Sequence, residues 1–364
     1  MLQYETSPLV NYSQFEMLAD SVEHYREKRL ISAQKFIAFS AEKNTIILDT
    51  RSKAFFEKKH VKGAINLPFA DFTQGNLEAL IPDKNTRILI YCNNNFMTEV
   101  DLDVHTIDLS TLTIKEDPSF ASKSSGPKID PLRFDVLPIT EVFEKSYTLA
   151  LNIPTFINLY GYGYQNVYEL NDLISTSNAG RFIFEGTEVH PNRYKTQDLT
   201  VIPSSPLVSY SDLQELVDLV KPHREAHLVS LDEFNKMKLD SNTIILDTRS
   251  KEMFDAKHVK GAIHLEFSEF TQLALDTLLN DRNRRILIYC NNNFITDLQK
   301  RQQDRYFMSK VALNPPTFMS ELTLALNIPT YINLYGYGYQ NVYELNELVL
   351  TSDPRIQFEG TSIK

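Results

Sequence analysis

The chain has 364 residues, enough for two domains with cores of their own. A net charge of −10 with no basic block argues against a nucleic-acid surface or an anionic-membrane surface. The two cysteines fall in different halves, so they make no disulfide framework and read as free thiols, kept for reactivity or simply buried.

No apolar run approaches the ~20 residues of a membrane helix, so no membrane partner is expected. The opening stretch MLQYETSPLV lacks a basic end followed by an apolar segment, so no signal peptide is expected in this chain. Ser13–Val22 is predicted as a short helix that Ser13 caps, with Phe15, Leu18 and Val22 on one face. Leu30-Ile31 is a brief strand, and Ser32 caps a helix running through Phe36 and Phe39. Asn44 turns the chain into the strand Ile46–Leu48, which ends at Asp49-Thr50-Arg51. Ala54–Lys58 is a helical turn, Val61–Leu67 a turn and a strand, and Phe72–Leu80 a helix. Leu149–Tyr162 is helical despite Pro154 and is ended by Gly163; Val167–Leu170 is the last strand. Alternating short strands and helices predict a parallel α/β sheet.

This series occurs twice. Val10, Tyr12, Ser13, Leu18 and Asp20 return as Val208, Tyr210, Ser211, Leu216 and Asp218, a shift of 198 that also carries Thr45–Lys53 onto Thr243–Lys251 and Cys92 onto Cys290. Asn158–Asn171 returns as Asn333–Asn346, shifted by only 175, so the first copy holds 23 extra residues after its cysteine. FEGT closes both copies, at Phe184–Thr187 and Phe358–Thr361. The expected domains are residues 1–187, with an insert at about 98–146, and 208–364, joined by a polar, proline-bearing linker at 188–207.

At the centre of each copy stand the same ten letters, RILIYCNNNF, at Arg87–Phe96 and Arg285–Phe294. Ile88–Tyr91 is an apolar run of the kind that forms a buried strand. It stops at Cys92, and Asn93-Asn94-Asn95 should form a tight loop, because asparagine tolerates left-handed backbone and bonds its neighbours. In open α/β sheets the carboxyl ends of the strands are where ligands bind.

Leu48–Arg51, His60–Ile65, Ile90–Cys92 and Gly163–Tyr168 follow one another in the first copy, with counterparts at Asp247–Arg249, His258–Ile263, Tyr289-Cys290 and Gly338–Tyr343 in the second. These four landmarks, in order and twice over, resemble the rhodanese-like domain. The resemblance implies two doubly wound α/β domains, each with a central parallel sheet flanked by helices. It implies that Cys92 and Cys290 take a sulfane sulfur from a small donor and pass it, through a persulfide, to a thiophilic acceptor. Periplasmic bacterial members with a CNNNF loop are especially similar, which implies a periplasmic location if a leader was trimmed and a cytoplasmic one otherwise. Such chemistry calls for a thiol of lowered pKa inside a ring of N–H donors, with a helix N-terminus behind it. The anion-binding loops would be Asn93, Asn94, Asn95 and Phe96, and Asn291, Asn292, Asn293 and Phe294.

The loop departs from the family in having neither the usual glycine nor a basic residue. Phosphatases on this fold carry arginine six positions after the cysteine, where Thr98 and Thr296 stand here, so phosphatase activity is disfavoured. The segments beyond the loops, Thr98–Ser146 and Thr296–Ser320, are rich in acidic, proline and polar residues and read as a lid over the thiol or a solvated excursion. The stretch Asp117–Pro131 reads as loop. Asp49, Arg51, Asp247 and Arg249 are expected to brace the loops as ion pairs rather than bind substrate. His60 and His258 are expected to be hydrogen-bonded structural histidines, and Lys62 and Lys260 solvated. No His/Cys/Asp/Glu cluster has metal-ligand spacing, and neither a metal nor a cofactor is expected. The leading expectation is a sulfurtransferase; the alternative is a binding module on the same fold whose cradle holds a small anion. Sequence does not set the oligomeric state.

Overall fold

The computed structural model describes residues 9–100, 114–115, 118–124, 147–189, 199–297, 299 and 324–363. The first copy runs through α1 (Tyr12–Glu27), β1 (Leu30–Ile31), α2 (Ala33–Ser40), β2 (Thr45–Asp49), α3 (Lys53–Lys58), β3 (His60–Val61), β4 (Ala64–Asn66), α4 (Gln74–Leu80), β5 (Arg87–Tyr91), β6 (Phe96–Met97), β7 (Glu99–Val100) and β8 (Ile114–Lys115). It continues through α5 (Asn152–Gly161), β9 (Val167–Leu170), β10 (Leu173–Ala179), β11 (Phe184–Glu185) and β12 (Leu199–Ile202). The second copy repeats the pattern with α6 (Tyr210–Glu225), β13 (Leu228–Val229), α7 (Leu231–Met237), β14 (Thr243–Asp247), α8 (Lys251–Ala256), β15 (His258–Val259), β16 (Ala262–His264), α9 (Gln272–Leu279), β17 (Arg285–Tyr289), β18 (Phe294–Ile295), α10 (Asn327–Gly336), β19 (Val342–Leu345), β20 (Val349–Leu350) and β21 (Phe358–Glu359).

Each copy builds a five-stranded sheet, in the orders β1-β9-β5-β2-β4 and β13-β19-β17-β14-β16. All the pairings inside both sheets are parallel. The expected doubly wound α/β fold is therefore present twice. β5 and β17 are the middle strands, and Ile88, Leu89, Ile90 and Tyr91 are each 0% exposed. Side chains alternate along β5. Leu89 and Tyr91 face a cluster holding Phe36 of α2; Ile88 and Ile90 point the other way, where α5 packs on β5 and β9. Full burial of such side chains stabilises by about 1.5–3 kcal/mol each.

Local signals set many boundaries. Ser32 caps α2, its side chain accepting from the Lys35 N–H. Asn44 takes a left-handed φ of 58° at the turn into β2. Pro154 lies in the first turn of α5, where its missing N–H goes unused. Gly163, at φ 87°, ends that helix, and the hydroxyl of buried Tyr164 donates to the Ile81 carbonyl at 2.8 Å. Other boundaries move. α1 begins earlier and ends later than expected, and Asn11, not Ser13, holds its first turn, Oδ1 accepting from the Gln14 N–H at 3.0 Å. Residues Phe69–Asp71 form a 3-10 turn before α4, whose cap is Thr73. Val167–Leu170 is not the last strand: β10 pairs in parallel with β6, and β12, formed within the expected linker, pairs antiparallel with β10.

The chain divides into two compact units. One comprises Asp20–Glu215 and Ser268–Leu278 and contains the first sheet; the other comprises Met1–Ala19, Leu216–Phe267 and Leu279–Lys364 and contains the second. No helix among the described residues is long and apolar enough to cross a membrane.

Candidate active site

Cys92 follows β5 directly and opens a 3-10 turn, Asn93–Asn95, that leads into β6. None of the three asparagines has a positive φ, so the loop is tight without left-handed backbone. The reason is side-chain bonding. Asn95 Oδ1 accepts the Cys92 N–H at 3.0 Å and the Asn152 Nδ2 at 2.8 Å, while its Nδ2 donates to the carbonyls of Leu170 and Asp172 at 2.9 and 3.1 Å. Asn94 is equally committed. Its Oδ1 accepts the Lys123 N–H at 2.8 Å, and its Nδ2 donates to the carbonyls of Lys123 and Leu207 at 3.0 and 2.7 Å. The expectation that these amides face an anion is therefore not met at Asn94 and Asn95: their donors are spent on the protein's own carbonyls.

The donors that do reach sulfur are backbone groups. The N–H groups of Asn152, Asn94 and Leu151 point at the Cys92 thiol and favour its anion. Leu151 and Asn152 form the N-terminus of α5. The helix expected behind the sulfur is thus present, supplied from beyond the insert rather than straight after the loop. The expected low thiol pKa is not. Cys92 is 0% exposed, and burial, set against those N–H bonds, pushes the thiol up to about 11, with the Glu169 carboxylate adding to the rise. Cys290 repeats the arrangement: burial pushes it up to about 11 against the N–H groups of Asn327 and Asn292. Both cysteines are free thiols.

Asp49 and Arg51 form the expected buried brace. Arg51 donates to Asp49 through Nη2 at 2.6 Å, to the Lys59 carbonyl at 2.7 Å, to the Ser119 carbonyl at 3.1 Å and to Asn93 Oδ1 at 3.4 Å. The Tyr91 hydroxyl donates to Asp49 at 2.5 Å, across the β2–β5 pair that sets them side by side. Asp247, Arg249 and Tyr289 repeat this, with Arg249 Nη1 donating to Asn291 Oδ1 at 2.9 Å. His60 stands apart from the thiol: Nδ1 contacts the Phe56 carbonyl at 2.7 Å, and its ring stacks on Phe56. His258 does the same with Phe254. Lys62 is exposed and pairs with Glu185 at 3.4 Å. Phe96 belongs to the core, its ring packing on Tyr91, Phe120 and Phe184, and Phe294 packs on Tyr289 and Phe358.

Three groups at the site escaped the sequence reading. Glu169, 0% exposed and within electrostatic reach of the thiol, is held by Arg26 through two bonds of 2.6 and 2.5 Å. Glu344 and Arg224 match them at 2.5 and 2.6 Å. The repeat carried this signal, since Arg224 and Glu344 are the counterparts of Arg26 and Glu169 at shifts of 198 and 175. Asn152 and Asn327 recur likewise, and each Oδ1 is buried without a partner among the described residues. The third is the insert itself. Pro118–Phe120 is a 3-10 turn, and Phe120 is 0% exposed in the core beside Phe96, with the Arg51 guanidinium 4.4 Å from its ring centre. This part of the stretch expected as loop is neither loop nor solvated. In the second copy Asn291 is exposed and Asn292 half-buried; the residues after Thr296 lie largely outside the described part of the chain.

The family described as rhodanese-like domain matches residues 32–100 and 230–315. A curated tRNA uridine(34) hydroxylase of Lactococcus lactis subsp. cremoris is 29% identical over 119 residues, 31% of this chain and 36% of the relative. Its counterpart in subsp. lactis is 29% identical over 111 residues, 30% of this chain and 33% of the relative. The chain thus spans about a third of the length of these curated relatives. Among solved structures, a thiosulfate sulfurtransferase from Pseudomonas aeruginosa is similar at a TM-score of 0.46 and 14% identity, over 97% of this chain and 49% of that one.

Proposed function

The chain carries two rhodanese-like domains in tandem, and from that premise we propose that it is a sulfurtransferase of the thiosulfate or mercaptopyruvate type with Cys92 and Cys290 as nucleophiles. With thiosulfate as donor, the Cys92 thiolate attacks the outer sulfur, the S–S bond breaks, and sulfite leaves with the electron pair. The cysteine is left as a persulfide anion, which an attacking thiophile strips back to the thiolate. Both enzyme forms carry negative charge where the helix N-terminus and the loop converge. The observation that carries the reading is the convergence of the Asn152, Asn94 and Leu151 N–H groups on one sulfur. Because burial holds the resting thiol protonated, the reading includes a step in which the cover over Cys92 opens and the proton departs.

A second reading, a non-enzymatic module that binds a small anion or a protein, has its own support: both thiols are buried, and Asn94 is used up in packing. Intact-protein mass spectrometry after incubation with thiosulfate or mercaptopyruvate separates the two. Sulfurtransfer adds one sulfur atom, about 32 Da, to Cys92 or Cys290, and cyanide or a thiol removes it. No adduct under either donor leaves the binding module.

A further inference from the structure

A cavity of about 150 Å³ opens on the α2 side of the unit that contains the first sheet. Its walls are apolar: Phe36 and Ile37 from α2, Phe182 and Ile183 from the link between β10 and β11. Ile183 is 58% exposed, so the mouth presents apolar surface to solvent. Ser40, the last residue of α2, lines it too, but its hydroxyl donates to the Ile37 carbonyl at 2.8 Å. Two cations line the same cavity, Lys62 and Arg181. Lys62 is matched by Glu185 at 3.4 Å, a carboxylate that His60 Nε2 also approaches at 3.8 Å. Arg181 is exposed and has no ion pair or hydrogen bond among the described residues.

The second copy shows the same arginine satisfied. Arg355 is the counterpart of Arg181, at the shift of 174 that carries Phe184 onto Phe358. The backbones agree: the Phe182 N–H donates to the Ala179 carbonyl as that of Ile356 does to Asp353, and the Lys62 N–H donates to Ile183 as that of Lys260 does to Gln357. Arg355 pairs with Asp353 at 2.8 Å, with Asp232 at 3.1 Å and with Glu347 at 3.9 Å. In the first copy the first two positions are Ala179 and Gln34, and the third is the shorter Asp172, whose Oδ2 takes the Ala33 N–H at 2.8 Å. The wall differs in the same sense. Asn235, which donates to the Arg355 carbonyl at 2.9 Å, corresponds to Ile37, Lys238 to Ser40 and Gln357 to Ile183. Where the second copy has carboxylates and a polar wall, the first has an apolar cavity and a cation without an acid of its own.

We propose that this cavity is a binding site for a small apolar carboxylate, a molecule with one acid group on a ring or branched chain about the size of benzene. The body fills the apolar space, and the acid group holds at Arg181 the place that carboxylate side chains hold at Arg355. A volume of about 150 Å³ suits a single six-membered ring. A guanidinium takes a carboxylate through two parallel N–H bonds. A neutral molecule of the same shape leaves the arginine unmatched, and a dianion meets the Glu185 carboxylate beside Lys62. No residue of the Cys92 loop lines the cavity, so its occupancy is independent of sulfur transfer.

Benzoate is the probe, titrated into the full chain with its isoleucine δ1 methyls labelled with carbon-13. The Ile37 and Ile183 signals are assigned through Ile37→Val and Ile183→Val. Both should move and saturate, while the signal of Ile356 in the second copy stays in place. Arg181→Gln should weaken benzoate by about ten- to a hundred-fold, the usual effect of losing a hydrogen bond between charged groups. Benzyl alcohol, which keeps the ring and loses the charge, should bind wild type more weakly than benzoate by a similar factor. Ser40→Leu, which fills the cavity from the half-buried end of α2, should abolish both. Ile37 and Ile183 signals that stay still at about 10 mM benzoate, enough to saturate a Kd of about 1 mM, overturn the proposal. Benzyl alcohol bound as tightly as benzoate, or benzoate bound as tightly by Arg181→Gln, also overturns it. The alcohol comparison uses wild type alone, so it decides even where a variant fails to fold.

Discussion

Asn94 Nδ2 donates to the carbonyl of Leu207 at 2.7 Å, although 113 residues separate them. Asn292 Nδ2 donates to the carbonyl of Leu9 at 2.8 Å. Leu9 and Leu207 are equivalent positions, 198 apart, just ahead of α1 and α6. The middle asparagine of each cysteine loop is therefore latched by the segment that enters the other copy's first helix, and each latch lies inside one compact unit. Tyr12 follows the same logic, its hydroxyl donating to the Val217 carbonyl at 2.7 Å. The asparagines between cysteine and β6 serve first to close the site.

Removing the latch should open it. Asn94→Ala deletes bonds to both sides of the Lys123 peptide and to Leu207, and strands those buried groups. A loss of about 1–3 kcal/mol is expected, seen as a lower urea midpoint, together with faster alkylation of Cys92. Asn94→Gly should be no milder, because the native loop has no positive φ for glycine to relieve. A glycine variant that behaves as wild type would mean that the side-chain bonds contribute nothing.

The Arg26–Glu169 pair is buried on both sides, at 5% and 0% side-chain exposure. Breaking it leaves an uncompensated charge in the core, which costs about 3–5 kcal/mol. Arg26→Met alone should therefore unfold much of the unit in conditions where wild type is stable. Arg26→Met with Glu169→Leu should recover most of the loss, because an apolar pair of similar volume avoids the desolvation. Thermal melts of the single and double variants check this; a double variant worse than the single would refute it.

The FEGT ending of each copy has a backbone cause. Gly186 and Gly360 both sit at φ 132°, and a Cβ on Gly186 would come within 2.3 Å of the Lys58 carbonyl oxygen. On Gly360 it would meet the Ala256 oxygen at 2.6 Å. These are main-chain atoms and cannot swing aside. Gly186→Ala should destabilise by more than the ~1 kcal/mol that an ordinary exposed glycine position registers, whereas Gly75→Ala, inside α4 with only a 4.0 Å contact, should be neutral or mildly stabilising. Paired thermal melts decide it.

What was legible in the sequence was local. The central strand, the Ser32 cap, the Asn44 turn and the Gly163 stop each depend on residues within a few positions, and each is where its residue type puts it. What was not legible was brought together from afar. α1 runs on to Glu27 because Arg26 meets Glu169, 143 residues away. Lys123 lies in the stretch that reads as loop, and nothing nearby in sequence announces that Asn94 bonds its main chain. The low thiol pKa failed for a related reason: ring and helix donors were foreseen, but the burial that outweighs them at Cys92, 0% exposed, depends on contacts the local sequence does not announce.

That burial has a signature in stability against pH. An unfolded thiol ionises near 8.5, whereas the folded Cys92 and Cys290 hold their protons up to about 11. Between these values the unfolded chain binds fewer protons than the folded one, so stability falls as pH rises; below the window the contribution is fully present. A shift from 9.0 to about 11 corresponds to roughly 2–3 kcal/mol per thiol across the whole window. The buried tyrosines, Tyr91 and Tyr289 among them, are also raised and add a loss of the same sign above about pH 10. The Lys123 amine, lowered to about 7 by burial, contributes with the opposite sign over part of the same range but is present in every variant, so the difference in slope between wild type and the cysteine variants reads the thiols between about pH 8.5 and about pH 10. In that interval the melting temperature of wild type should decline more steeply than that of the Cys92→Ala, Cys290→Ala double variant, and each single variant should lie between. Equal slopes would mean that the thiols ionise as freely in the folded protein as in the unfolded chain, and that neither site is closed in solution.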